Sequence, residues 1–187
     1  MTATRLPRLS DRPPSEICTT AGFSEPVAAA IASAADTTTL LYDLMARREW
    51  AAAITLLAHA LPKADAVWWA CECARVTLRA DEPLSNLAAL EAAQAWVSNP
   101  SERSRRAAAR AAAQSEPRSP CAIAAFAAFF SGGSIAAPDA PELPAPEHLC
   151  GTMVATAIML AGASGEPEQT EARYQRILDG GIALARA

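Results

Sequence analysis

The chain has 187 residues, a formal net charge of −4 and 47 alanines, about a quarter of its length. Glycine is scarce, β-branched and aromatic strand formers are few, and the five cysteines are an odd number. That composition excludes an all-β domain, a collagen-like fibre and a disulfide-stapled scaffold, and the alanine content points to an all-α domain.

Residues 1–22 carry Pro7, Pro13 and Pro14 among scattered Arg and Ser and predict an extended N-terminal arm, either mobile or laid over the domain. A single helical domain is expected over 23–187. Ser24, followed by Glu25 and Pro26, opens an Ala-rich helix to about Ala35. Asp36 caps the next, with Leu40, Leu41, Leu44 and Met45 at helical spacing. Trp50, Ile54, Leu57 and Leu61 repeat that spacing beyond a break at Arg47-Arg48-Glu49.

Pro62 opens a helix expected to run from Lys63 to Arg79. Val67, Cys71, Ala74 and Leu78 make one apolar stripe, and Trp69, Cys73 and Val76 a second. Only Trp68, Glu72, Arg75 and Arg79 form a polar face, so this helix is expected to be central. Pro83 and Asn99-Pro100 bracket another helix, and Ser101 caps the basic helix ERSRRAAARAAAQ. Cys121 to Phe130 is the longest apolar run, which suits a buried helix and is too short to span a membrane. Residues 131–146 hold four prolines and two glycines and predict a long loop. Helices then open at Pro146-Glu147 and Glu166-Pro167. About eight Ala-rich helices in a compact antiparallel array are expected, as a hairpin stack or as a bundle with a long crossover.

Catalytic parts are in short supply. Cys71 and Cys73 sit two residues apart in a helix, so their thiols diverge and cannot chelate together; His148 and Cys150 share that fault. Small core residues are the plainer use of Cys18, Cys71, Cys73, Cys121 and Cys150. His59 and His148 lack a neighbouring nucleophile signature, and no phosphate-binding loop or paired-carboxylate motif occurs. We therefore expect no enzyme activity, no cofactor and no metal. The odd set of thiols and the lack of an apolar N-terminal core fit a cytoplasmic protein without a secretory signal.

Charge is unevenly spread. Arg103, Arg106 and Arg110 share one helix face, with no interleaved aromatic of the kind nucleic-acid binding uses. From residue 119 to 172 there are six acidic residues and no Lys or Arg. The basic helix and this acidic segment suit internal pairing, a partner, or a second copy of the chain, so a homo-oligomer is an allowed state. Trp68 beside Glu72, Arg75 and Arg79 has the composition of an interface anchor. Partner contacts are accordingly expected at Trp68, Glu72, Arg75, Arg79, Arg103, Arg106 and Arg110, with no nucleic acid and no membrane as partner.

The segment LLAHALPKADAVWWACECAR (Leu56 to Arg75) resembles an uncharacterised proteobacterial family that shares a Leu-Pro turn followed by Val-Trp-Trp-Ala. Some members of that family are associated with type VI secretion genes. The resemblance implies an accessory, adaptor or chaperone role with a secretion component or effector as partner. The stretch Ala89 to Ala113 is similar, more loosely, to immunity proteins of polymorphic toxin systems, which implies a toxin as the alternative partner. The later histidine-rich motif of those proteins is missing from Met153 to Ala163.

Overall fold

Caps and prolines start the helices largely where the sequence places them. Asp36 Oδ1 accepts the Thr39 N–H at 2.7 Å, and Ser101 and Ser104 form a reciprocal capping box. The computed structural model describes residues 6–23 and 34–187, and most of the helix expected from Ser24 lies outside them. The described residues form nine α-helices: α1 (Pro14–Ala21), α2 (Thr37–Ala46), α3 (Trp50–Ala60), α4 (Lys63–Arg75), α5 (Leu84–Ser98), α6 (Glu102–Ala113), α7 (Pro120–Phe129), α8 (Glu147–Ala163) and α9 (Thr170–Arg186). A 3₁₀ turn at Pro167–Gln169 leads into α9. Among the described residues there is no strand, only an isolated antiparallel bridge between Ser134 and Pro144. The fold is all-α.

Hydrogen bonds at the helix ends fix the directions of the central helices. Lys63, at the start of α4, donates to the Ser131 carbonyl just past α7. Arg105, in the first turns of α6, donates to the Phe129 carbonyl at the end of α7. At the opposite end, Asn86 in the first turn of α5 meets Glu116 just past α6, and Ser115 donates to the Ser85 carbonyl. Thus α4 and α6 run one way while α5 and α7 run back. The segment 131–146 then returns the chain so that α8 packs on α3, α4 and α7, and also on α1 and α9. The segment 131–146 joins the end of α7 to the start of α8 at one end of the bundle and those two helices pack on each other, so of the two arrangements expected the compact antiparallel array describes the molecule.

The helix α7 reads PCAIAAFAAF, and Cys121, Ala122, Ala124, Ala125, Ala127 and Ala128 are all buried. With methyl groups or a thiol at these positions, its axis can approach α4, α5, α6 and α8 together. A similar close approach occurs at Gly181 of α9, where a Cβ would lie 2.7 Å from Leu57 and 2.8 Å from Trp69. The Trp69 indole N–H donates to the Ile177 carbonyl at 3.1 Å, which ties α4 to α9. Trp69 is 2% exposed and Trp68 41%, as the stripes on this helix require.

Two expectations need correction. The N-terminal segment is not extended throughout, because Pro14–Ala21 is helical and Leu6, Ile17 and Cys18 are buried. Backbone bonds from Arg8 N–H to Ala185 O and from Ser10 N–H to Ala60 O hold it against the domain. Its apolar face is only two residues long, too short to give a periodic signal, and Pro14 starts this helix rather than breaking it. The second correction concerns α4, which ends at Arg75 and not at Arg79. Thr77 caps its end, with both its N–H and its hydroxyl donating to the Ala74 carbonyl. Past that turn the apolar stripe no longer projects, so Val76 is 80% exposed instead of packed with Trp69 and Cys73.

Candidate partner-binding groove

The end of α4 opens into a groove. One part, with a volume of about 640 Å³, is bounded by Val76, Arg79, Glu82, Glu116, Arg118 and Arg173. The adjoining part, about 430 Å³, has Trp69, Cys73, Val76 and Ile177 as its apolar wall, with Arg176 and Glu72 at its edge. Val76, Ala161 and Arg173 belong to both parts. The groove therefore lies where α4, α5, α6, α7, α8 and α9 begin or end.

Local bonds set its shape. The Asn86 amide is buried, donating to Glu82 and Glu116 and accepting the Glu116 N–H, so the start of α5 is tied to the end of α6. Arg173 donates to the carbonyls of Gly162 and Glu166 and to the Thr170 hydroxyl, closing the turn between α8 and α9. Carbonyl oxygens leave the guanidinium charge uncompensated. Among the described residues, Arg118 and Arg176 are in no ion pair. The lining has four arginines (79, 118, 173, 176) and three glutamates (72, 82, 116), a balance of +1 on a chain of −4.

The residues predicted for partner contact divide between this groove and the far end of the bundle. Glu72 and Arg79 line the groove. Arg75 is exposed and pairs with Glu72 at 3.0 Å, and Arg79 pairs with Asp81 at 3.3 Å. Trp68 is exposed one turn before Glu72 on the same helix. Arg103 and Arg110 are exposed on α6. Arg106 is not available in the same way, since it donates to the carbonyls of Ala136 and Ser134 and pairs with Glu102. Arg105, beside it, is 4% exposed and bonds Phe129 O at 2.6 Å and Ser134 O at 2.7 Å, with its guanidinium 4.7 Å from the Phe129 ring centroid. These bonds hold Glu102 at a pKa of about 2, chiefly through its hydrogen bond from Arg105.

The buried thiols and His59 are poor reagents. All five cysteines are free and buried. Burial pushes Cys18 up to about 11 and Cys71, Cys73 and Cys150 up to about 12, and Cys121 also upward, so thiolate is suppressed at neutral pH. His59 packs its ring over Gly151 of α8, where a Cβ would lie 2.6 Å from Nδ1. Burial, with His148 and Arg12 nearby, lowers its pKa to about 4, so it is neutral and does not act as a cation at the end of α3. Among the described residues, no group of three His, Cys, Asp or Glu side chains is placed to hold a metal ion, and no helix is long and apolar enough to cross a membrane.

The sequence reading missed Val76, Arg118, Arg173 and Arg176. They come from separate segments, and no spacing rule joins residue 76 to residues 118 and 173. The only available signal was the pair of arginines in the last helix, which had drawn no attention beside the denser basic run of α6.

No curated protein and no solved structure matches the chain. A family model does match, over residues 40–185, which takes in the Leu-Pro and Val-Trp-Trp-Ala motif and every helix from α3 to α8. The chain belongs to that family, DUF6931, a family of unknown function.

Proposed function

We propose that this protein is a non-enzymatic interaction module that docks another protein in the groove at the end of α4. The observation that carries this reading is Val76, a large aliphatic side chain 80% exposed beside Arg118 and Arg176, which are in no ion pair among the described residues. An apolar floor rimmed by unpaired arginine suits a protein interface, where arginine is enriched at anchor positions. The suppressed thiols and neutral His59 support a binding role over a nucleophilic one.

The finer assignment, an adaptor or chaperone of bacterial type VI secretion working in the cytoplasm, rests on the resemblance of Leu56–Arg75. It is tested by affinity pull-down and mass spectrometry with the wild-type chain and a Val76→Glu/Arg118→Glu variant side by side. A secretion component held by the wild type and lost from the variant supports it. A toxin held and lost in the same way supports the immunity role that Ala89–Ala113 implies. Equal capture by both chains overturns the groove as the docking site.

A further inference from the structure

The 131–146 segment is a built projection rather than a slack tether. Ile135 N–H donates to Leu143 O at 2.8 Å and Ala145 N–H to Gly133 O at 3.0 Å, either side of the Ser134–Pro144 bridge. The Ser134 hydroxyl accepts the N–H groups of Ala136 and Leu143, closing the finger across its base. Arg105 and Arg106 then rivet that base to α6 through the Ser134 and Ala136 carbonyls. Pro138 and Pro141 stiffen the tip. What the finger presents is acidic and apolar together: Asp139 and Glu142 are exposed, and Leu143 is 56% exposed. Neither carboxylate is in an ion pair among the described residues.

The groove offers the complement, Val76 with Arg118 and Arg176. Finger and groove lie at opposite ends of the same helices. The finger follows the end of α7 and precedes the start of α8, while Ser119 and Pro120 at the start of α7 and Ala161 at the end of α8 line the groove. The 17 residues of α8 put about 25 Å between them. A finger riveted at its base cannot cross that length to reach its own groove.

We propose that the groove receives the 134–144 finger of a second copy of this chain, with Leu143 against Val76 and Asp139 and Glu142 facing Arg118 and Arg176. This deepens the docking reading above and rests on it. The contact is heterologous, one copy's finger in the next copy's groove, so copies add head to tail and the assembly grows unless a ring closes. The tip of an eleven-residue finger buries little area, which places the contact among small, transient interfaces sensitive to salt.

Sedimentation of the full chain at low ionic strength tests this. The wild type should show a weight-average mass that rises above 19.5 kDa with concentration and falls back when salt is added. A finger variant (Asp139→Ser/Glu142→Ser/Leu143→Ser) and a groove variant (Val76→Glu/Arg118→Glu) should each stay monomeric alone. All five positions are exposed, so folding is checked by circular dichroism and expected unchanged. Mixed, the two variants have one intact finger and one intact groove between them and should give 1:1 dimers and nothing larger. A wild type that stays monomeric at about 1 mM overturns the proposal, as does an assembly that either variant leaves intact or a mixture that stays monomeric. In all of these cases the docking reading survives if the groove variant still loses its captured partner in the pull-down.

Discussion

Arg105 at one end of the helical bundle and Arg118 and Arg176 at the other are arginines used in opposite ways. At the finger end, Arg105 is buried, its donors are spent on Glu102 and two main-chain carbonyls, and its face covers the Phe129 ring. At the groove end, Arg118 and Arg176 are exposed and in no ion pair among the described residues. What separates the two uses is the supply of acceptors. The chain that leaves α7 turns its carbonyls toward α6, and arginine is the side chain that can satisfy two of them at once. At the groove end Arg173 is spent in the same manner on the Gly162 and Glu166 carbonyls, whereas Arg118, with no such carbonyls bonded among the described residues, stays exposed. A basic run in the sequence is therefore a poor guide to a basic surface.

The difference can be attacked first through the wall that backs the groove. Trp69→Ala should cost about 3–5 kcal/mol, the usual range for a large buried aromatic, and it also removes the indole bond to the Ile177 carbonyl. Denaturant unfolding followed by circular dichroism measures it. Trp68→Ala, one residue away but 41% exposed, should cost about 1 kcal/mol or less. Equal losses from the two would mean that α4 is buried all round and its edge has no surface to offer.

A second expectation concerns pH and the junction of α1, α3 and α8. Burial, with His148 and Arg12 nearby, lowers the pKa of His59 to about 4 in the folded chain. Between about pH 6.5 and 4 the unfolded chain binds a proton there that the folded chain does not, so stability falls as pH is lowered through that window. The expected loss from pH 7 to 4.5 is about 2 kcal/mol, and His59→Gln should flatten the slope. Glu102 acts at lower pH. Its folded pKa of about 2 lies below the ordinary value, so its contribution is present above about 4.5 and is lost as pH falls towards 2. An unfolding series at pH 7, 4.5 and 3 with His59→Gln and Glu102→Gln separates the two windows.

The smallest effect on stability belongs to the groove rim. Val76→Ser and Arg118→Ala should each change it by less than about 0.5 kcal/mol, because neither side chain is packed. A larger loss by calorimetry would show that the groove is held together by the residues assigned to a partner.

Much of the fold was legible because its signals are local. Asp36, Ser101, Pro62 and Pro146 act within one turn, and they start helices where single residues said they would. The stripes on α4 separated Trp69 from Trp68 for the same reason. Legibility failed where the deciding contact is distant. Nothing near Ile17 announces that α1 packs on α3 and α8, and nothing near Arg105 announces the carbonyls of Phe129 and Ser134. Spacing placed Arg106 on an outward face with Arg103 and Arg110, yet the returning loop covers it. Val76 failed differently, since extending α4 by one turn moves that side chain from the surface to the core.

One comparison bears most directly on the division of labour between the two ends. Arg105→Met and Arg118→Met keep an unbranched apolar stem and remove the charge, and each is measured for unfolding free energy and for sedimentation at low salt. We expect Arg105→Met to lose about 3 kcal/mol, since the part-buried Phe129 carbonyl loses its side-chain donor and Ser134 O and Glu102 each keep only Arg106, and Arg118→Met to lose less than about 0.5 kcal/mol while abolishing association. Equal stability losses, or association lost only in Arg105→Met, would contradict it.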